Sequence, residues 1–338
     1  MKKSLLAVAV LGAFAGAASA QSSVTLFGVV DLSVNQIKNG NTKMTTMDSN
    51  QLNSNRLGFR GTEDLGGGLL AGFWLEGGMA NDTGSPAGFN FLRRSTVSLT
   101  SSMGEIRLGR DYTNSFSTVA TYDAYGANGF GSAVNLYAGA VANMGSGATT
   151  AVRANNMVGY FLPGNLGGLY GSFQVAGGEG VIGNKYFGGR LGYSAGPIDV
   201  SGGVSETKVA GSNKYKTANI GASYNLGFAK IMGFWDQRKF GAMKYTTYEV
   251  STSVPLGQGE FRLAYSKGDA SGGTAAFNGS DATLLGAEYI YNLSKRTALY
   301  GQAGRLDNDG ASALSLGGVG SAAGGKSTGY GVGVRHSF

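Results

Sequence analysis

Apolar and polar residues alternate through most of this chain, in segments of about ten. In "VTLFGVVDLSVN", Val24, Leu26, Gly28, Val30, Leu32 and Val34 share one face, while Asp31, Ser33 and Asn35 share the other. "TANIGASYN" sets Ala218, Ile220, Ala222 and Tyr224 against Asn219, Gly221, Ser223 and Asn225. "YEVSTSV" sets Tyr248, Val250, Thr252 and Val254 against Glu249, Ser251 and Ser253. A period of two marks a strand whose faces meet different surroundings. Sixteen such segments lie near 24–36, 54–64, 68–79, 91–101, 104–111, 152–162, 167–177, 184–194, 197–207, 215–225, 227–239, 244–254, 259–267, 281–292, 296–306 and 328–338.

The connectors decide what the strands build. After the first strand they tend to alternate long and short. The short ones, such as "EDLGGG", "SSMG", "SAGP", "PLGQG" and "NLSK", hold the Gly, Asn, Pro and Ser of tight turns. The long ones cover roughly 37–53, 80–90, 112–151, 178–183, 208–214, 240–243, 268–280 and 307–327, with two short for their class. An even number of strands about 9–11 residues long, with turns at one end and loops at the other, describes an all-β, 16-stranded antiparallel transmembrane barrel of the outer-membrane type. Closing the sheet satisfies every backbone group inside lipid. A soluble β-sandwich or adhesin is the alternative, but it has no need of unequal loops at its two ends. Closure also predicts that "TGYGVGVRHSF" pairs with the first strand, which places Phe338 in an aromatic girdle.

Composition fits this picture and narrows it. Residues 1–20 combine a basic start (Lys2, Lys3), a short apolar core and an Ala-Ser-Ala ending, the pattern of a cleaved export signal rather than of a membrane anchor. The expected domain is then 21–338, and removing Lys2 and Lys3 lowers the formal charge from +7 to +5. No other run is long and apolar enough for a membrane helix. Cysteine is absent, which excludes thiol catalysis and cysteine metal sites. Sixty glycines would suggest disorder, but 17 tyrosines and 17 phenylalanines argue against it.

Catalytic chemistry finds little to work with. His336 is the single histidine and lies on the outward parity of the last strand, so neither a zinc site nor a catalytic triad suggests itself. A barrel lipase would need a serine beside it, and no motif suggests one. The glycine clusters lack a strand-to-helix context for phosphate or cofactor binding. No cofactor and no nucleic-acid partner is expected.

The informative residues are charges on the polar parity. Between Lys43 and Lys185 there is no lysine, yet Arg56, Arg60, Arg93, Arg94, Arg107, Arg110 and Arg153 are present. Parity turns Arg56, Arg60, Arg107 and Arg153 inward; it favours Arg94 over Arg93, unless the doublet bulges. A charge on the lipid face costs about 2–4 kcal/mol at mid-depth, so a lumen wall is the cheaper place. Glu76, Asp31 and Glu288 share the inward parity and oppose that wall. The connector 112–151 carries one charge, Asp123, and a loop so long and uncharged is expected to fold into the lumen. Its carboxylate would then face the arginines across an eyelet.

The segments "SSVTLFGVVD", "SNRLGFRGTEDLGGGLLAGFWLEG", "RRSTVSLTSSMGEIRLGR", "RANNMVGYF", "NLSKRTALYG" and "GYGVGVRHSF" follow one another in an order that resembles the general porins of β-proteobacterial outer membranes. The resemblance runs through the whole mature chain. It implies a homotrimer in outer-membrane lipid, an inward third loop, and passive diffusion of small anions and hydrophilic solutes. Matched by motif, the constriction cluster is Arg56, Arg93 and Arg153, with Asp123 at the acidic position of the loop. It further implies that the last strand, with Phe338 and Tyr330, is read by the outer-membrane assembly machinery. A substrate-specific channel for phosphate or organic anions and a purely structural or adhesive barrel are the competing expectations.

Overall fold

The computed structural model describes residues 23–84, 90–211, 213–317 and 320–338, so the expected export signal lies outside the described residues. Seventeen strands follow one another: β1 (Ser23–Asn39), β2 (Thr42–Ser49), β3 (Arg56–Asp64), β4 (Leu70–Gly78), β5 (Arg94–Ser101), β6 (Gly104–Tyr112), β7 (Arg153–Phe161), β8 (Leu169–Ala176), β9 (Tyr186–Ala195), β10 (Ile198–Lys208), β11 (Lys214–Asn225), β12 (Lys230–Phe240), β13 (Met243–Leu256), β14 (Gly259–Ser271), β15 (Ala282–Asn292), β16 (Thr297–Asn308) and β17 (Lys326–Ser337). The register of β1 shows why seventeen strands make a sixteen-stranded wall. Its first half pairs with β3, from Ser23 opposite Thr62 to Val29 opposite Arg56. Its second half pairs with β2, from Leu32 opposite Ser49 to Asn39 opposite Thr42. Strands β2 and β3 are therefore two parts of one stave, interrupted at residues 50–55.

This corrects the expectation of a long connector over 37–53. The chain turns at Gly40-Asn41, where Gly40 has the positive φ of 58° that the first position of a two-residue type II′ hairpin turn requires, and returns at once as β2. The alternation in "TKMTTMDS" is weakly apolar on its outer side, which hides the strand from a hydrophobicity reading.

The sheet closes on itself where β17 meets β1, from Val29 opposite Ser337 to Asn39 opposite Ser327. At the seam the Gly28 and Phe338 backbones exchange N–H···O bonds of 3.0 and 3.1 Å. Gly28 is needed there, because a Cβ would stand 2.3 Å from the Phe338 ring. All pairings are antiparallel, with short periplasmic turns such as 102–103, 196–197 and 257–258 and longer extracellular loops. The outward parity is apolar and exposed, with Val204, Val250 and Val332 each more than 60% accessible. That surface suits a hydrocarbon solvent and would be a liability in water.

Candidate pore constriction

The connector between β6 and β7 enters the barrel. It forms two helices, α1 (Asn114–Tyr122) and α2 (Val134–Asn143). Helix α1 starts without a side-chain cap of its own; instead the Asn114 N–H donates to Gln174 Oε1 at 3.0 Å, a barrel-wall acceptor that takes the cap's place. From there the loop is tied to strand after strand. Asn114 Nδ2 donates to the Ser172 and Gly188 carbonyls at 3.1 and 3.0 Å, and Asn219 Nδ2 to the Ser115 carbonyl at 2.8 Å. The Tyr122 hydroxyl reaches Asp199 at 2.7 Å, the Ala124 N–H reaches Ser251, and the Ala133 N–H reaches Glu249. Phe130 N–H donates to Gln302 on β16 at 3.1 Å. The loop thus lines the wall from β8 to β16.

Inward glycines make room for it. A Cβ on Gly221 would be 2.1 Å from the Tyr122 ring, and one on Gly286 would be 2.1 Å from the Gly131 backbone. Between loop and wall lies an apolar filling that includes Val119, Tyr122, Tyr137, Phe234 and Tyr245, all nearly inaccessible.

The wall left uncovered, β3 to β7, carries the arginines. Three converge near one carboxylate. Arg93 Nε donates to Glu76 Oε1 at 2.6 Å, and Arg56 Nη1 lies 3.5 Å from the same oxygen. Arg153 Nε donates to the Arg93 carbonyl at 2.7 Å, its guanidinium resting 4.3 Å from the centre of the Tyr112 ring. The Tyr112 hydroxyl in turn accepts from Arg93 Nη2 at 3.3 Å. A second group sits beside it. Arg94 lies over the Trp74 ring at 4.5 Å and 3.4 Å from Asp111; Arg107 lies over Phe161 at 4.0 Å and pairs with Asp111 at 2.6 Å and Glu105 at 2.8 Å. Here two cations meet two carboxylates. Of these two groups, the uncompensated charge therefore belongs to the first, where Arg56 and Arg93 share Glu76 and Arg153 bonds a backbone carbonyl.

A model of the Gram-negative porin family matches residues 7–311. The chain belongs to that family. It is 42% identical over 363 residues to outer membrane porin protein 32 of Delftia acidovorans and 31% identical over 405 residues to an outer membrane porin protein of Bordetella pertussis, each match covering both chains in full. An anion-selective porin from Comamonas acidovorans superposes with a TM-score of 0.85 at 39% identity, over 94% of this chain and all of that one. The protein is thus an outer-membrane porin, a passive channel rather than an enzyme.

The porin brings Arg56, Arg93, Arg94, Arg153, Arg107 and Glu76 together on one side of the lumen. Arg93 and Arg94 both face inward. Arg94 does so by strand parity, and Arg93 by preceding β5 and bonding Glu76 through both its backbone N–H (3.0 Å) and its guanidinium. Arg60 lies at the edge of the second group, over the Phe27 ring at 5.3 Å and, with Arg94, over the Trp74 ring at 5.1 Å. Two expected pore acids are not free. Asp123, 4% accessible, accepts from the Tyr125 N–H at 2.8 Å, the Ala127 N–H at 3.0 Å and the Ser132 hydroxyl at 2.5 Å. Its carboxylate locks the loop's own turn instead of facing the arginines, and burial raises its pKa above the ordinary 3.8. Asp31 points inward but is inaccessible, accepting from the Leu52 and Asn53 N–H groups and the Tyr300 hydroxyl; it holds the 50–55 interruption in place.

The rings under the arginines were not singled out from the sequence. The signal was present, because Phe27 and Trp74 are aromatics on the polar parity, where nothing else explains them. Arg190, over Tyr170 at 5.2 Å and bonded to Ser201 and Thr121, was also missed; it follows the lysine at 185 and so fell outside the lysine-free stretch.

Proposed function

We propose that the porin conducts small anions in preference to cations and that Arg56, Arg93 and Arg153 form the filter. The observation that carries this reading is the unequal match of charge, three guanidinium groups to one carboxylate, opposite a loop whose carboxylate is turned away. An anion 4 Å from such a group gains about 1 kcal/mol at the dielectric of water and about 4 kcal/mol at an effective value near 20. Screening within about 8 Å at physiological salt confines the effect to the narrow region. Stacking on Tyr112 and bonding to backbone carbonyls hold the groups still, so a passing ion meets fixed charge rather than mobile side chains. The zero-current potential in a planar bilayer under a KCl gradient tests this. Chloride preference is expected in the parent and its loss in Arg56→Ser/Arg93→Ser/Arg153→Ser; open channels without a chloride preference in the parent would overturn it.

A saturable channel is the second reading. A cavity of about 680 Å³ lies beside Arg93, lined in part by Asn50, Gln51 and Asn128, polar side chains beside which a hydrophilic anion can rest briefly. Flux that plateaus with solute concentration would favour it over simple diffusion.

The homotrimer implied by resemblance belongs here too. An apolar groove of about 590 Å³ on the outer wall, between Phe261, Tyr289, Tyr330 and the small residues Ala287, Gly301 and Ala303, supports that reading as a surface for another subunit. The last strand, ending at Phe338, is in the same way proposed as the segment read during assembly.

A further inference from the structure

Strand β1 faces the stave made of β2 and β3 with an unequal length of chain. Its two registers leave only Val30 and Asp31 between them, whereas residues 50–55 lie between Ser49 and Arg56 on the other side. An ordinary bulge adds a single residue. Here the surplus is long enough to leave the wall, and it leaves inward. Leu52, 4% accessible, packs with Ile290, Ala298 and Tyr300 on the lumen side of β15 and β16. Ser54 Oγ donates to Asn128 Oδ1 of the inward loop at 2.7 Å.

Specific bonds fix the shape of this excursion. Asn50 opens it with a φ of 70°, a left-handed conformation that Asn tolerates, and Asn50 Oδ1 accepts from the Asn55 N–H to close the neck. The Asn55 side chain stands in for the missing strand partner of Asp31. Its Oδ1 accepts from the Asp31 N–H, and its Nδ2 donates to the Asp31 carbonyl at 3.0 Å. The Asp31 carboxylate then grips the Leu52 and Asn53 N–H groups. On the far side, Gln302 binds both inward segments at once: its Oε1 accepts from the Phe130 N–H at 3.1 Å, and its Nε2 donates to Gln51 Oε1 at 3.0 Å. The two backbones approach so closely that a Cβ on Gly129 would stand 2.5 Å from the Gln51 carbonyl oxygen. At the exit, the Ser54 carbonyl accepts from Arg56 Nε at 2.9 Å. Gln51 and Ser54 line the cavity beside Arg93 together with Asn128 and Gly129, so the excursion borders the solute path.

We propose that residues 50–55 form a second constriction element of the pore, positioned by Asp31, which sets the size limit for solutes jointly with the loop. The loop lines the wall from β8 to β16, and the excursion continues that lining from Gln302 back to β1. Solutes are left the space between this combined rim and the arginine wall. Asp31 is inaccessible and meets no solute; it acts by holding the segment that does. Pore width bears on every hydrophilic molecule, charged or not.

The test compares the whole porin with variants in planar bilayers and in liposome-swelling assays with neutral sugars of increasing size. Deleting Asn50 and residues 53–55 leaves Gln51 opposite Asp31 and Leu52 opposite Val30. An even number of residues is removed, so every flanking side chain keeps its own face and Leu52 turns to the lipid. This variant is expected to raise single-channel conductance and to admit larger sugars than the parent does. Asp31→Ala should move both readings the same way by less, and Asp31→Asn, which keeps the shape and one acceptor oxygen, by less again. These single variants decide the question if the deletion variant does not assemble. The gel mobility of unheated samples selects folded barrels, so loss of stability is not mistaken for a change of opening. Unchanged conductance and an unchanged sugar limit in the folded variants would overturn the proposal, as would a narrower channel, with the loop tip fallen into the vacated space. Because the sugars carry no charge, the outcome is independent of whether the porin prefers anions.

Discussion

Removing the carboxylate of Glu76 takes away both a compensating charge and the acceptor that holds Arg93, and the two effects are separable by experiment. Glu76→Gln is expected to raise chloride preference several-fold in zero-current potential, while loss of a charge-assisted bond lowers stability by roughly 1–3 kcal/mol in thermal melting. Asp123 makes the contrasting prediction. Its carboxyl is held above 3.8 by burial, so the folded chain binds that proton more tightly than the unfolded one. Its contribution to stability is full below 3.8 and declines as pH rises through the folded value. The stability of the parent relative to Asp123→Asn should therefore increase on acidification from about pH 7 to about pH 4; an unchanged difference would mean that the carboxylate is not buried. At this scale the sequence was a partial guide. Parity turned Arg56, Arg94, Arg107 and Arg153 to the side on which they lie because a strand has only two sides, but it disfavoured Arg93, which precedes β5 and also turns inward; Asp123 sits in a turn where Ala127 adopts a φ of 65°, and no periodicity indicates which way such a carboxylate points.

The loop between β6 and β7 owes its place to the elements it lies against as much as to its own helices. Its bonds run to side chains on β8, β10, β11, β13 and β16, and its rings lie over glycines in those strands. Gly286→Val is expected to displace the segment around Gly131 toward the lumen and lower single-channel conductance in planar bilayers without abolishing the barrel. Conductance equal to the parent's would show that the wall yields instead. That the connector folds inward was legible from its length and lack of charge; its partners were not, because a side chain such as Gln174 or Asn219 reads from sequence as any lumen-facing amide. Strands with strong alternation were likewise legible to within a few residues. Strand β2 was not, since Met44, Thr45, Thr46 and Met47 offer no clear contrast between faces, and only pairing with β1 defines it.

For the molecule as a whole, closure between β1 and β17 leaves no unpaired sheet edge among the described residues, and the Phe338 ring caps the seam over Gly28. Phe338→Ala should reduce the yield of folded barrel, read by the gel mobility shift between unheated and boiled samples, while channels that do form retain the parent's conductance. The loop covers the wall from β8 to β16 and leaves the arginines on β3 to β7, so the two sides of the opening differ: one is thick and carries Asp123, Asp199, Asp236, Glu249 and Glu288 beside Arg190, Arg238 and Arg262, the other thin and cationic. In such a passage the potential varies across the opening as well as along it. A solute with its negative end and its bulk well separated is turned by that transverse gradient before it reaches the narrowest point. Passage then sorts molecules by where on their frame the charge is carried, in addition to how much of it they carry.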